Sequence, residues 1–159
     1  MLTETCLKNV LLDSVREVFE TMVFMDIEEA AEPCMAVNGN VLLSSITFKG
    51  RLEGCIGICC TEACACQIAS NMIGIDPDNN ITSEHIYDAI GEIINMVMGK
   101  VEMRLEGDYG PLKASIPSVT TGLELRSNLG NRAQRYNVLL NLEDMHTISL
   151  SLICRENDV

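Results

Sequence analysis

The sequence predicts an α+β fold, a mostly antiparallel sheet with long amphipathic helices packed on it. Apolar residues recur at helical spacing in two long stretches, residues 7–25 and the segment from Ser83 onward. Strand-like runs come in two pairs, 41–48 with 52–60 and 136–142 with 147–155. Helices and strand pairs follow one another in blocks, without strict β-α-β alternation, which separates α+β from a parallel α/β sheet. With 159 residues, 47% of them hydrophobic, and no linker or low-complexity stretch, residues 1–159 are expected to form a single domain.

In the first predicted helix, Leu11, Val15, Val18, Phe19 and Met22 share one face, opposite Asp13, Glu17 and Glu20. An acidic turn, residues 26–33, follows. Strands 41–48 and 52–60 are joined by Lys49-Gly50-Arg51, as in a hairpin. Thr61, with Glu62 behind it, is suited to cap a helix of small residues that runs to Met72 and ends near Gly74. Asp76-Pro77-Asp78-Asn79-Asn80 has turn chemistry. Thr82 or Ser83 caps the next helix, which passes through Gly91 to about Leu105. Gly107 is its expected C-terminal cap, and Pro111 bars any continuation. An extended stretch with Ile116-Pro117 and a polar loop, residues 126–134, lead into the last two strands, which flank Glu143-Asp144-Met145-His146.

Charge and cysteine usage narrow the function. Lys+Arg number 11 against 23 Asp+Glu, a formal net charge of −12. Such a chain repels phosphate backbones and anionic lipid surfaces, so neither nucleic acid nor membrane is expected as a partner. No apolar run reaches the roughly 18 residues that span a bilayer. The first five residues carry no basic run leading into an apolar one, so a cytoplasmic location is expected. Of the eight cysteines, Cys6, Cys34 and Cys154 are scattered, while Cys55, Cys59, Cys60, Cys64 and Cys66 crowd together. Their spacing lacks the tight C-x2-C pairs of zinc sites. Cys55 and Cys59 share a strand face with Gly57, and Cys64 and Cys66 sit among alanines, where a thiol serves as a small hydrophobe. Core cysteines with no bound metal are therefore expected, and a thiol-based metal or redox domain is the rival. His85 and His146 lie far apart, and His85 is expected at the surface. Met72, Met96, Met98 and Met103 are expected to fill core or interface.

The helix from Ser83 carries the most information. At about 100° per residue, with Asp88 at zero, Glu92 falls near +40°, Asn95 near −20° and Gly99 near +20°. Glu84 and Glu102 join this stripe, while Ile90, Ile93, Ile94, Val97 and Val101 take the other side. A solvated helix face is the simplest account of such a stripe. Two features argue for more. Asn is a mediocre mid-helix residue, and Gly91 and Gly99 each cost about 1 kcal/mol against Ala in a helix interior. Glycine on the stripe's edge lets another backbone come close, from a partner or from this chain.

The run from Asp88 through Glu92 and Asn95 to Gly99 resembles the signature helix of the CheC/CheX/FliY chemotaxis phosphatases. That pattern is Asp or Ser, three residues, Glu, two residues and Asn, followed later by Pro. Here Pro117 follows Asn95 with 21 residues between, and the order of elements is similar over nearly the whole chain. The first helix offers Asp13-x3-Glu17-x2-Glu20, the same frame with Glu where Asn should stand, as in a degenerate half of an internal pseudo-repeat. The resemblance thus implies a single-motif, CheX-like phosphatase that forms homodimers through its sheet. It implies catalytic roles for Glu92 and Asn95, and supporting or partner-binding roles for Asp88, Gly91, Gly99 and Pro117. Its substrate would be a phosphorylated CheY-like response regulator bringing its own Mg²⁺ and lysine, with no cofactor bound by this chain.

The residue chemistry agrees. Phosphoryl transfer needs positioning and charge neutralisation rather than covalent help. A neutral carboxamide both donates and accepts, so it can aim a water at phosphorus. A carboxylate there would repel the phosphoryl group, so Glu20 makes the first helix an inactive copy. Glu92, one turn from Asn95, is suited to pairing with a partner's lysine. A non-enzymatic binding module of the same fold is the alternative.

Overall fold

The computed structural model describes residues 3–31, 39–122, 130 and 132–157. Helix α1 (Glu4–Val18) begins where the Cys6 amide donates to the Thr3 hydroxyl, three residues earlier than the periodicity predicts. It does not continue unchanged to residue 25. Phe19–Val23 is a π-helical turn, closed by a bond from Phe24 N to Phe19 O (2.8 Å) with Phe24 in the left-handed region (φ 58°).

Among the described residues seven strands follow the order β1-β6-β7-β3-β2-β4, where β4 is Lys113–Ala114, with β5 (Ser118–Gly122) also on β2, and all their pairings are antiparallel. β2 (Val41–Lys49) and β3 (Leu52–Thr61) form the expected hairpin, as do β6 (Gln134–Leu142) and β7 (His146–Glu156). Within the stretch expected to be an acidic turn, Ile27–Ala30 is strand β1, paired with Leu139–Leu142 at the sheet edge. The predicted polar loop lies mostly outside the described residues, as does Cys34; Gln134 already belongs to β6.

The helices cover one sheet face. Register aligns Val119, Ser44, Ile58, Leu150 and Val138 in one row across that face, and all but the half-buried Val119 are buried. α1 contributes Leu7, Leu11, Leu12, Val15 and Val18 to the core. α2 (Glu62–Ile73) starts without a loop, since Thr61 ends β3 and also caps the helix, accepting from Cys64 N at 3.2 Å. α3 (Ser83–Tyr109) opens on a capping box in which the Thr82 hydroxyl accepts from His85 N and Thr82 N donates to His85 Nδ1. It passes through Gly107, which is not its cap, and stops at Gly110 (φ 70°). The extension follows from burial, because Val101, Leu105 and Tyr109 continue the apolar face at four-residue steps and the Tyr109 hydroxyl reaches Glu156 (3.0 Å).

A candidate active face on the third helix

α3 has its inner side fully committed. Ile90, Ile93, Ile94, Val97 and Val101 are each at most 1% exposed. Behind them Ser44, wholly buried on β2, donates its hydroxyl to Ile90 O at 3.3 Å. That bond satisfies a polar group in an apolar row and fixes the middle of α3 to the sheet. From the flank, Glu17 of α1 takes Lys100 (2.6 Å) and Arg104 (2.7 Å) of α3. Hydrogen bonds from Lys100 and then Arg104 hold the Glu17 carboxyl below the usual carboxylate range.

The opposite side is presented outward. Asp88, Glu92, Asn95 and Gly99 are all exposed, and the Asn95 carboxamide makes no hydrogen bond to any described residue. Asp88 and Asn95 stand about 10 Å apart along the axis at 1.5 Å per residue. α3's own cations, Lys100 and Arg104, are drawn toward Glu17, so the stripe stays acidic. The two predicted glycines differ. A side chain on Gly91 would meet this chain's own Val119 and Pro117 at 3.8 and 3.9 Å, whereas Gly99 faces open space. Pro117 is thereby brought beside the stripe, one turn before Asn95. The close neighbour at Gly91 is this chain, and only Gly99 leaves room for another.

The frame on α1 is not a second site. Asp13 faces Arg16 at 3.8 Å, Glu17 is held by two cations, and Glu20 falls in the π-helical turn with a carboxylate where α3 has an amide. The cysteine cluster is largely interior. Cys60 and Cys64 are fully buried and Cys55 nearly so. The adjoining Cys64 thiol and burial hold Cys60 well above the ordinary thiol range, and burial also raises Cys59. Among the described residues no group of three or more His, Cys, Asp or Glu is placed to hold a metal ion. Met98 is core and Met72 and Met96 pack against it, but Met103 is 70% exposed. A cavity of about 580 Å³ opens at the other end of α3, between Leu7, Leu52, Tyr109 and Glu156. Tyr109 is about 21 Å along the helix from Asn95, and no stripe residue lines the cavity. No described helix is long and apolar enough to cross a membrane.

Sequence reasoning missed the Ser44–Ile90 bond and the exposure of Tyr87 (41%) and Ile116 (88%) around the stripe. Only the Ile-Pro dipeptide hinted at the latter.

The family profile described as "Chemotaxis phosphatase CheX" matches residues 42–141. Among solved structures the chain is similar to the chemotaxis protein CheX from Vibrio vulnificus, at 22% identity and TM-score 0.78, covering 98% of this chain and 100% of that one. It is also similar to CheX from Desulfovibrio desulfuricans (18%, TM-score 0.77, 94% and 99% covered). A third similar structure is the CheX-CheY-BeF3-Mg complex from Borrelia burgdorferi (18%, TM-score 0.71, 94% and 97% covered). No curated protein is a significant match in sequence.

Proposed function

The chain belongs to the CheX family of chemotaxis phosphatases, and from that premise we propose that it hydrolyses the aspartyl phosphate of a CheY-like response regulator, with Asn95 orienting the attacking water. The observation that carries this reading is an exposed carboxamide that makes no hydrogen bond to any described residue, on a helix whose other sides are locked. The similar Borrelia burgdorferi structure holds CheX with CheY, which supports a CheY-like partner here.

In this scheme Asn95 accepts a hydrogen bond from the water and holds it in line with phosphorus. The new bond to phosphorus forms as the bond to the aspartyl oxygen breaks. Inorganic phosphate leaves, the partner's carboxylate is regenerated, and the water's proton passes to phosphate or solvent. Glu92, one turn away, pairs with the partner's lysine and sets the approach. Asp88 and Pro117 flank the contact, and Gly91 admits Pro117 against the helix. Gly99 keeps the far end of the stripe clear of side chain. The partner's own Mg²⁺ supplies charge neutralisation, so this chain needs no cofactor. The chain would act as a homodimer, since Ser45, Gly57, Ser149 and Ser151 on the sheet face away from the helices are small enough to let a second copy approach.

The test is the decay of radiolabelled phospho-CheY from the same organism with substoichiometric amounts of the protein. A shortened lifetime is expected. If lifetimes stay unchanged for every CheY-like regulator of that organism while beryllofluoride-loaded CheY still binds, the face is an adaptor surface and not a phosphatase.

A further inference from the structure

The strand edge beside the stripe is interrupted. β4 (Lys113–Ala114) pairs Ala114 with Phe48, and β5 (Ser118–Gly122) resumes with Ser118 opposite Ser45. Ser115, Ile116 and Pro117 therefore face only Ile46 and Thr47. This is a β-bulge, which bends an edge strand and re-aims a side chain, and proline is at home in one. Both flanks of the bulge are fixed. Ser115 N donates to Thr47 O at 2.8 Å, and Thr47 N donates to Ser115 Oγ at 3.1 Å. On the other side the ring of Pro117 sets its own φ and lies against Gly91. Between these two anchors Ile116 is 88% exposed, more than any other large hydrophobic among the described residues. Tyr87, 41% exposed, sits one turn before Gly91 on the same side of α3.

This chain offers the acyl phosphate itself no attractive charge from α3. Asp88 and Glu92 have the same sign as an acyl phosphate, and Lys100 and Arg104 are taken up by Glu17. Beyond the pairing of Glu92 with one lysine, an apolar contact is the remaining source of affinity that this face offers, through the exposed Ile116. A side chain pre-ordered by its backbone makes such a contact at low entropic cost.

We propose that Ile116, on the bulged edge strand beside the stripe, is the apolar anchor that seats the phosphorylated response regulator on this face. Ile116 then sets affinity, while Asn95 performs the chemistry. The proposal rests on the phosphatase reading, and its test separates the two.

Ile116→Ser, Ile116→Val and the control Phe24→Ser are compared with wild type, both for hydrolysis of phospho-CheY and for binding of beryllofluoride-loaded CheY. Phe24 is 69% exposed at the end of the π-helical turn, outside this face. Ile116→Ser should raise KM and Kd about tenfold, with kcat within about twofold and Tm unchanged because the side chain is bare. Ile116→Val should recover most of the affinity, and Phe24→Ser should match wild type. Unchanged KM and Kd for Ile116→Ser would overturn the anchor, and so would an equal loss in Phe24→Ser. A fall in kcat at constant KM would also overturn it, placing Ile116 in positioning instead. Failure of wild type to hydrolyse any phospho-CheY defeats the phosphatase reading, whereas the Kd comparison still decides the anchor.

Discussion

Replacing Asn95 with alanine should move activity and stability in opposite directions. The side chain is exposed and makes no hydrogen bond to any described residue, so its removal leaves no buried group unpaired. Its backbone lies mid-helix, where Ala is favoured over Asn by about 0.5–0.7 kcal/mol. For a domain of this size that corresponds to a rise in Tm of about 1–2 °C. Loss of one group that positions the reacting atoms costs on the order of 10²–10³ in kcat, or about 2.7–4 kcal/mol. KM should change little, since the stripe around Asn95 is intact. Single-turnover decay of phospho-CheY gives kcat, titration with beryllofluoride-loaded CheY gives affinity, and calorimetry gives Tm on the same preparation. Hydrolysis within about threefold of wild type would refute the water-orienting role. A fall in Tm of several degrees would instead show that Asn95 supports the fold.

The other predictions concern the surroundings of that residue, and the first, already set out, is the KM effect of Ile116→Ser. Glu92→Ala should weaken binding of beryllofluoride-loaded CheY several-fold with no change in Tm, and unaltered binding would remove Glu92 from the contact. Glu17 has a lowered carboxyl pKa in the folded chain, so its contribution to stability is present above its unfolded value and is lost as pH falls through the folded one. The urea midpoint of wild type should therefore drop more steeply below about pH 4.5 than that of Glu17→Gln; parallel curves would show the two ion pairs to be inert. Burial, followed by the charge of Glu156, pushes the Cys154 thiol up to about 11. Iodoacetamide at pH 8 should then label half-buried Cys6 and Cys66 well before Cys60, Cys64 and Cys154, with mass spectrometry of timed aliquots recording the order.

The sequence exposed most of α3 because its signals are local: a capping threonine, an isoleucine-rich face at helical spacing and an unbroken polar stripe. Its end was misplaced for a local reason too. Gly107 has the form of a cap, but Tyr109 buries its ring and reaches Glu156, and that gain lies 47 residues away along the chain. β1 was illegible since Ile27-Glu28-Glu29-Ala30 is short and acidic. It becomes a strand only through the edge that Leu139–Leu142 offers, and Glu29 is then met by Lys8 at 2.6 Å. The π-helical turn was hidden because Phe19 and Val23, both buried, suit an α-helix equally well. Among the candidate site residues, helical spacing alone put Glu92 and Asn95 on one exposed face, while their roles came from the family resemblance. The approach of Pro117 to Gly91 and the bulge holding Ile116 required the registers of β4 and β5 on β2, which no local pattern encodes.

The unequal fates of the two acidic helix faces follow from where the cations lie. α3 carries its lysine and arginine at positions 100 and 104, on the flank away from Asn95, and both reach across to one carboxylate of α1. That contact ties the two helices together, and it also occupies the residue that corresponds on α1 to Glu92. A carboxylate held by two cations at 2.6 and 2.7 Å cannot turn outward to meet a partner's lysine without breaking both pairs. Glu20, the third position of the frame, lies exposed in the π-helical turn and carries a carboxylate. Placing a carboxamide there by Glu20→Asn would therefore not create a site, because Glu17 would remain engaged. Packing of α1 against α3 thus engages Glu17 through both cations and leaves the Asn95 face of α3 acidic.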